Sequence, residues 1–373
     1  MAALLAVAIG VERAVSPAAK KLVGGDFRAF APLWSPTGTH IAFLIEDKVG
    51  AHLAVFDFAK GGHLVVGDVA MPDADAFSWS PDGKRLAYVG PGGESEFGGA
   101  IRIYDVASTR AEALAPGSAP RFRTDGTLVA VCGPEALASF DSDSEDGDSG
   151  APVYDMASRF CRMDTDSGAV TRTALAAAEG MALSPLLDRV VFARETAGAV
   201  ATAARDGRLP DVELFVADLD RGEPVRLSAA GEAAFPSWTP AGDRILHARN
   251  GAAGIEFWTM REDGGDRRPL LQGVKVADPM SVRLSPDGER VFFVGPVEGD
   301  PDAATPLTGG QPADLHIAPV GGGTVRRLPN EHSFKQRFAV SPDGERIAYE
   351  VPQDVKIPSG AAQTEIWLMS RAQ

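Results

Sequence analysis

The side chains in this 373-residue chain best suited to grip a ligand are a few arginines placed inside short apolar runs. Arg121 and Arg283 occupy equivalent places, each just before the residue that ends such a run, Phe122 and Leu284. In five other runs the same place holds a small or apolar residue: Leu33, Ser78, Ala182, Ser237 and Ala339. A guanidinium is a planar fork of donors, so two of them near one axis suit an anionic group held bidentate in a partly desolvated site. The alternative is structural, with each arginine paired to a neighbouring carboxylate such as Asp75 or Asp278. Arg337 is grouped with these four as a candidate binding residue.

Other residues invite chemical readings that their spacing does not sustain. The run Asp141-Ser142-Asp143-Ser144-Glu145-Asp146-Gly147-Asp148 alternates carboxylates, as a site for a hard cation such as calcium does. Counted from Asp141, however, Asp146 and Pro152 fall where a helix-loop-helix calcium loop needs Gly and Glu, so the run reads as a solvated acidic loop. Gly147-Asp148-Ser149-Gly150-Ala151-Pro152 looks like a serine-protease nucleophile segment, but no matching histidine segment accompanies it. The six histidines, His40, His52, His63, His247, His316 and His332, include no pair at ligand spacing. No metal and no cofactor is expected. Cys132 and Cys161 fall near the base of one long connection. They form either a disulfide that staples it, implying an oxidising compartment, or two buried thiols.

The elements that must position these residues are set by a repeat. A turn signal, usually Trp/Leu-Ser-Pro-Asp-Gly, occurs seven times, with Trp34, Trp79, Phe122, Leu183, Trp238, Leu284 and Val340 at its first place. The copies are spaced by about 43 to 61 residues. Proline presets φ, aspartate bonds its own backbone, and glycine accepts positive φ, so the signal joins two strands. A third strand follows every copy and a fourth follows all but the last, giving units of four antiparallel strands, a to d. The predicted fold is all-β: a seven-bladed β-propeller of four-stranded blades. The last copy lacks strand d. Lys20–Val23 precedes the first strand a and resembles the other d strands, so it is expected to complete the last blade and close the ring. Residues 1–17 are a leader or tail, and 18–373 form one domain.

Composition limits what such a protein does. The chain is 45% hydrophobic and 23% charged, as in an ordinary globular protein, and its 41 Gly and 27 Pro sit at regular turn positions. A net charge of −15 repels phosphate backbones, so nucleic acid is not an expected partner. No apolar segment is long enough to span a membrane. Met1–Gly10 is apolar but lacks a basic leader region.

The pattern Trp-Ser-Pro-Asp-Gly-x-x-Leu-Ala-Tyr, as at Trp79–Tyr88, resembles the TolB-like propeller repeat, a relative of WD repeats, over about residues 20–373. The seven copies and the lack of an α/β domain set the chain apart from TolB itself. The resemblance implies a rigid scaffold without a defined activity. Alternating strand direction puts the a–b and c–d turns on one face. The long b–c connections Gly133–Ser158, Arg194–Asp211, Gly295–Ala313 and Val351–Gln363 lie on the other. We therefore expect a non-catalytic, monomeric scaffold that binds a protein or peptide on the long-loop face or at the channel mouth. A periplasmic or secreted location is expected, with a cytoplasmic one left open. The alternatives are a propeller enzyme, lyase or hydrolase, acting on a glycan or lactone, and a small anionic-ligand sensor.

Overall fold

The computed structural model describes residues 19–73, 76–92, 99–133, 135–138, 153–155, 158–177, 181–186, 188–195, 209–251, 254–276, 279–296, 313–328, 337–356 and 362–370. These residues form thirty β-strands and one 3₁₀ turn, Pro279–Ser281, and no α-helix occurs among them.

The strands group as the repeat requires. The N-terminal strand is β1 (Ala19–Val23), and the first four-stranded set is β2 (Arg28–Trp34), β3 (His40–Glu46), β4 (Ala51–Asp57) and β5 (Gly62–Asp68). The second is β6 (Phe77–Trp79), β7 (Arg85–Pro91), β8 (Gly99–Asp105) and β9 (Arg110–Pro116). The third is β10 (Ser118–Phe122), β11 (Leu128–Cys132), β14 (Arg159–Met163) and β15 (Val170–Ala176), with a hairpin of β12 (Glu135–Ala138) and β13 (Val153–Asp155) inserted in it. The fourth is β16 (Ala182–Leu183), β17 (Arg189–Glu195), β18 (Val212–Asp218) and β19 (Pro224–Arg226). The fifth is β20 (Ala234–Trp238), β21 (Ile245–Gly251), β22 (Gly254–Met260) and β23 (Arg268–Leu271). The sixth is β24 (Arg283–Leu284), β25 (Arg290–Pro296), β26 (Ala313–Pro319) and β27 (Arg326–Arg327). The chain ends with β28 (Phe338–Val340), β29 (Arg346–Lys356) and β30 (Ala362–Ser370).

Within each set the order is sequential and antiparallel. β1 pairs antiparallel with β30, in the register Lys20 to Leu368 and Lys21 to Trp367, so the N-terminal strand lies beside the last strand of the chain. A parallel pairing, Arg28 to Thr364, joins β30 to β2.

Burial follows strand position. β3, His-Ile-Ala-Phe-Leu-Ile-Glu, is buried along its centre on both faces, whereas β5 is largely exposed. A strand that is apolar throughout must be covered on both sides. The core is accordingly divided into clusters shared by consecutive sets. Leu44, Leu53, Phe77 and Tyr88 join the first set to the second, and Phe292, Ile317, Ile347 and Tyr349 join the sixth to β28–β30. The cluster of Val23, Phe43, Ala348 and Ile366 joins the two ends of the chain.

The turn residues are consumed in holding this arrangement. Ser80 Oγ donates to Asp82 Oδ1 at 2.7 Å and accepts from Arg85 N at 2.8 Å, while Asp82 Oδ1 also accepts from Lys84 N at 3.1 Å. The Ser80 hydroxyl and the Lys84 N–H hold the Asp82 carboxyl below the usual range. Gly83 sits at φ +69°, which only glycine adopts without strain. Where Pro-Asp-Gly is degenerate, a later aspartate substitutes: Ser184 Oγ donates to Asp188, and Thr239 Oγ1 to Asp243, each at 2.9 Å.

The tryptophan of the signal ties neighbouring sets together. Trp34 Nε1 donates to Ala339 O at 3.0 Å, Trp79 Nε1 to Leu33 O at 3.2 Å, and Trp238 Nε1 to Ala182 O at 3.0 Å. Each acceptor lies one residue before the first place of the preceding signal. Arg346 reinforces the seam between the chain ends, with its guanidinium 4.5 Å from the Trp34 ring centre and Nη2 donating to Gly38 O at 2.9 Å. Trp34→Phe keeps an aromatic ring but leaves the Ala339 carbonyl without its donor. It is expected to lower stability by about 1–2 kcal/mol, read as a lower urea midpoint with an unchanged slope.

Candidate functional site

The innermost strands are not uniform, and their departures lie at the ends opposite the Ser-Pro-Asp-Gly turns. In β2, β10 and β20 the register against the next strand shifts, between Phe30 and Leu33, Ser118 and Arg121, and Ala234 and Ser237. Each shift contains a non-glycine residue at positive φ: Ala31 at 53°, Ala119 at 47° and Phe235 at 51°. Each of these is followed by proline, Pro32, Pro120 or Pro236. Side chains rarely occupy this region, and such backbone persists only where its surroundings hold it.

At the first of these bulges the surroundings supply a buried carboxylate. The bulge takes the Ala31 N–H out of the strand ladder, and Glu350 Oε1 accepts it at 2.7 Å. Glu350 lies on β29 and is 2% exposed, and its own N–H donates to Arg337 O at 3.0 Å. Burial raises the Glu350 carboxyl above its ordinary value, against the opposing pulls of the Ala31 N–H and the Arg337 and Arg28 charges. Arg28 is itself anchored, with Nη1 3.2 Å from Glu46 Oε2 and its guanidinium 4.0 Å from the Phe30 ring centre. One acid and two arginines from both ends of the chain thus meet where β29 approaches β2.

The structure treats the predicted residues differently. Arg337 is exposed and belongs to this group. Arg121 is half-buried on β10, and its Nη1 donates to Pro120 O at 2.9 Å and reaches Phe77 O of the second set at 3.5 Å. Arg283 is exposed on β24, with Nη1 on Met280 O at 2.6 Å and Val282 O at 2.9 Å. Arg121 and Arg283 therefore sit on separate sets, each turned onto nearby main-chain carbonyls. Asp75, Asp278, the acidic run Asp141–Asp148, Gly147–Pro152 and His332 lie outside the described residues.

The histidines of the first set are held separately. His52 Nδ1 lies 2.8 Å from Asp68 Oδ1, His40 Nε2 3.7 Å from Asp57 Oδ2, and His63 packs edge-on against Phe43. His247 is 2% exposed, and burial lowers it to about 4, so it is neutral near pH 7. Among the described residues, no three His, Cys, Asp or Glu side chains are grouped closely enough to hold a metal ion.

Cys132 and Cys161 are joined in a disulfide with Cα atoms 6.0 Å apart. The register explains the reach: Cys132 faces Arg159 and Cys161 faces Ala130, so the two cysteines are diagonal neighbours on adjacent strands. The bridge closes the base of the connection that carries the β12–β13 hairpin.

Glu350 and its acceptor role were not singled out from the sequence. The available signal was the proline two residues before the aromatic position in the first, third and fifth copies, at Pro32, Pro120 and Pro236. It marks the bulged inner strands but not what fills them.

No protein-family profile and no curated protein matches the chain. Solved structures similar to it include an oligogalacturonate lyase from Vibrio parahaemolyticus, with TM-score 0.65 and 11% identity over 96% of this chain and 94% of that one. An oligogalacturonate lyase in complex with manganese gives TM-score 0.63 and 15% identity over 94% and 92% of the two chains. The β-propeller domain of the Trilobed protease from Pyrococcus furiosus, described by an open velcro topology, gives 0.56 and 14% over 91% and 95%. At these identities the likeness is one of fold. The chain is a β-propeller.

Three outcomes follow from this geometry. Because burial raises Glu350, the stability it contributes is fully present below the ordinary glutamate value of 4.5 and is lost as pH rises through the folded value. Glu350→Gln keeps an acceptor for Ala31 N–H without the charge, so the stability difference between variant and wild type is expected to grow in the variant's favour from pH 4 to 8. Glu350→Ala, which orphans that N–H, is expected to cost about 1–3 kcal/mol; urea titrations across pH measure both. Replacing Cys132 and Cys161 together by Ala opens a 29-residue separation and is expected to cost about 3 kcal/mol, read from the same titration without reductant.

Proposed function

We propose that residues 18–373 form a seven-bladed propeller of the TolB-like repeat kind, acting as a non-catalytic, monomeric scaffold that binds a protein or peptide partner. The seven turn signals and the core clusters shared by successive four-stranded sets support the blade number, with β1 as strand d of the last blade. The observation that carries the binding reading is the asymmetry between the two faces. On the Ser-Pro-Asp-Gly face the polar side chains are consumed by their own turns. The opposite face carries the inserted hairpin β12–β13, the long strands β29 and β30, and the bulged starts of β2 and β10 beside Arg337 and Arg121. Irregular segments on a rigid frame are where binding surfaces concentrate. The Cys132–Cys161 bridge suits an oxidising compartment and so a periplasmic or secreted location. Among the described residues no helix is long and apolar enough to cross a membrane.

A photo-crosslinking residue placed at Ala136, on β12, is expected to capture one defined partner in the producing cell, while the same residue at Asp82 captures none. Equal labelling from both faces, or none from Ala136, rejects the reading.

A second reading is a propeller lyase, favoured by the fold shared with the two oligogalacturonate lyases. A net charge of −15 weighs against a polyanionic substrate. Incubating the purified chain with oligogalacturonate and manganese discriminates: appearance of an unsaturated product supports the second reading over the first.

A further inference from the structure

Between the first and second sets lies a crevice of about 400 Å³, lined by Val66, Gly67, Asp68, Tyr88, Pro91 and Arg102 among others. It is separate from the Glu350 group. Tyr88 and Arg102 face each other directly across β7 and β8, so their side chains leave the same face of the sheet.

Three polar groups converge here with capacity unspent. Tyr88 is 2% exposed, and its hydroxyl makes no hydrogen bond among the described residues. Burial raises the phenol above its ordinary value, so it remains a donor at neutral pH. Arg102 has no carboxylate within ion-pair distance among the described residues; Nη2 meets only Pro91 O, at 3.4 Å. Asp68 accepts from His52 Nδ1 through Oδ1 at 2.8 Å, which leaves Oδ2 available.

Two glycines keep this arrangement open. A Cβ on Gly67 would lie 2.7 Å from Tyr88 Oη, and one on Gly90 would lie 2.6 Å from Arg102 Nε and 3.4 Å from Tyr88 Cε2. Neither glycine is at positive φ, so the backbone itself does not demand glycine there. What a side chain at either place would disturb is the phenol and guanidinium.

We propose that this crevice is a binding site for a carboxylate that carries a hydrogen-bond donor on the adjacent carbon. The carboxylate accepts from the Arg102 fork and the Tyr88 hydroxyl, and the adjacent hydroxyl, ammonium or amide N–H donates to Asp68. A free hydroxy or amino acid and the C-terminus of a peptide share this chemistry. The site does not depend on the proposed partner face, so its failure leaves that reading standing.

The test is NMR of the full chain with ring-labelled tyrosine, which gives signals from only four residues, with Tyr88 assigned by its loss in Tyr88→Phe. L-lactate, L-alanine, N-acetylalanine and N-acetylalanine amide are titrated to about 10 mM, which detects millimolar affinity. A saturable Tyr88 shift with at least one acid and none with the amide is expected. Binding of lactate or alanine indicates a free small acid, and binding of N-acetylalanine alone indicates a peptide C-terminus. Arg102→Gln is expected to weaken binding by at least about tenfold. Arg102→Lys, which keeps the charge but not the fork, is expected to weaken it by less and serves if the first variant does not fold. No Tyr88 shift with any acid, an equal shift with the amide, or unchanged affinity in the Arg102 variants overturns the proposal.

Discussion

Sealing one four-stranded set against the next is the constraint on which the rest of the structure depends. Strands such as β3 are apolar on both faces, so no set can bury itself, and each needs a neighbour on either side. The tryptophan indole makes that contact directional by donating to a carbonyl of the preceding innermost strand. Apolar area alone would tolerate sliding between sets. A buried N–H that must find one carbonyl does not. At the ends of the chain the same need is met by β1 on β30 and by the cluster around Val23, Phe43 and Ile366.

This requirement divides the molecule into two faces with different freedom. On one, serine, aspartate and glycine close each turn on themselves and leave little to offer a ligand. On the other, the chain must pass from one set to the next and tolerates insertions, bulges and buried acids. Glu350 illustrates the tension. Its burial disfavours the charge, yet it accepts the N–H that a strained bulge displaces, so one residue serves both the seam and the electrostatics beside it.

Much of the architecture was legible in the sequence because its cause is local. Pro-Asp-Gly turns and apolar runs act within about ten residues, and the d-like sequence at Lys20–Val23 announced a strand needing a partner. The chemistry was less legible. Arg121 and Arg283 stood out by type and place, and each has a nearby main-chain carbonyl as one of its partners, which no local pattern announced. Glu350 follows Tyr349 in an apolar strand and carries no local signal; its acceptor role depends on Ala31, 319 residues away. The Tyr88–Arg102 crevice was equally hidden, since it needs Gly67 of one set beside Tyr88 of the next.

By itself, then, the sequence determined the strand unit, its repetition and the turns between strands, because these rest on backbone preferences of adjacent residues. It determined also that Cys132 and Cys161 stand at the base of one connection. Only the tertiary structure decided which polar groups are left with unspent hydrogen-bonding capacity. That depends on what the neighbouring set presents across the seam: a carbonyl for Trp34, a carboxylate for Ala31, and for Tyr88 and Arg102 an open crevice.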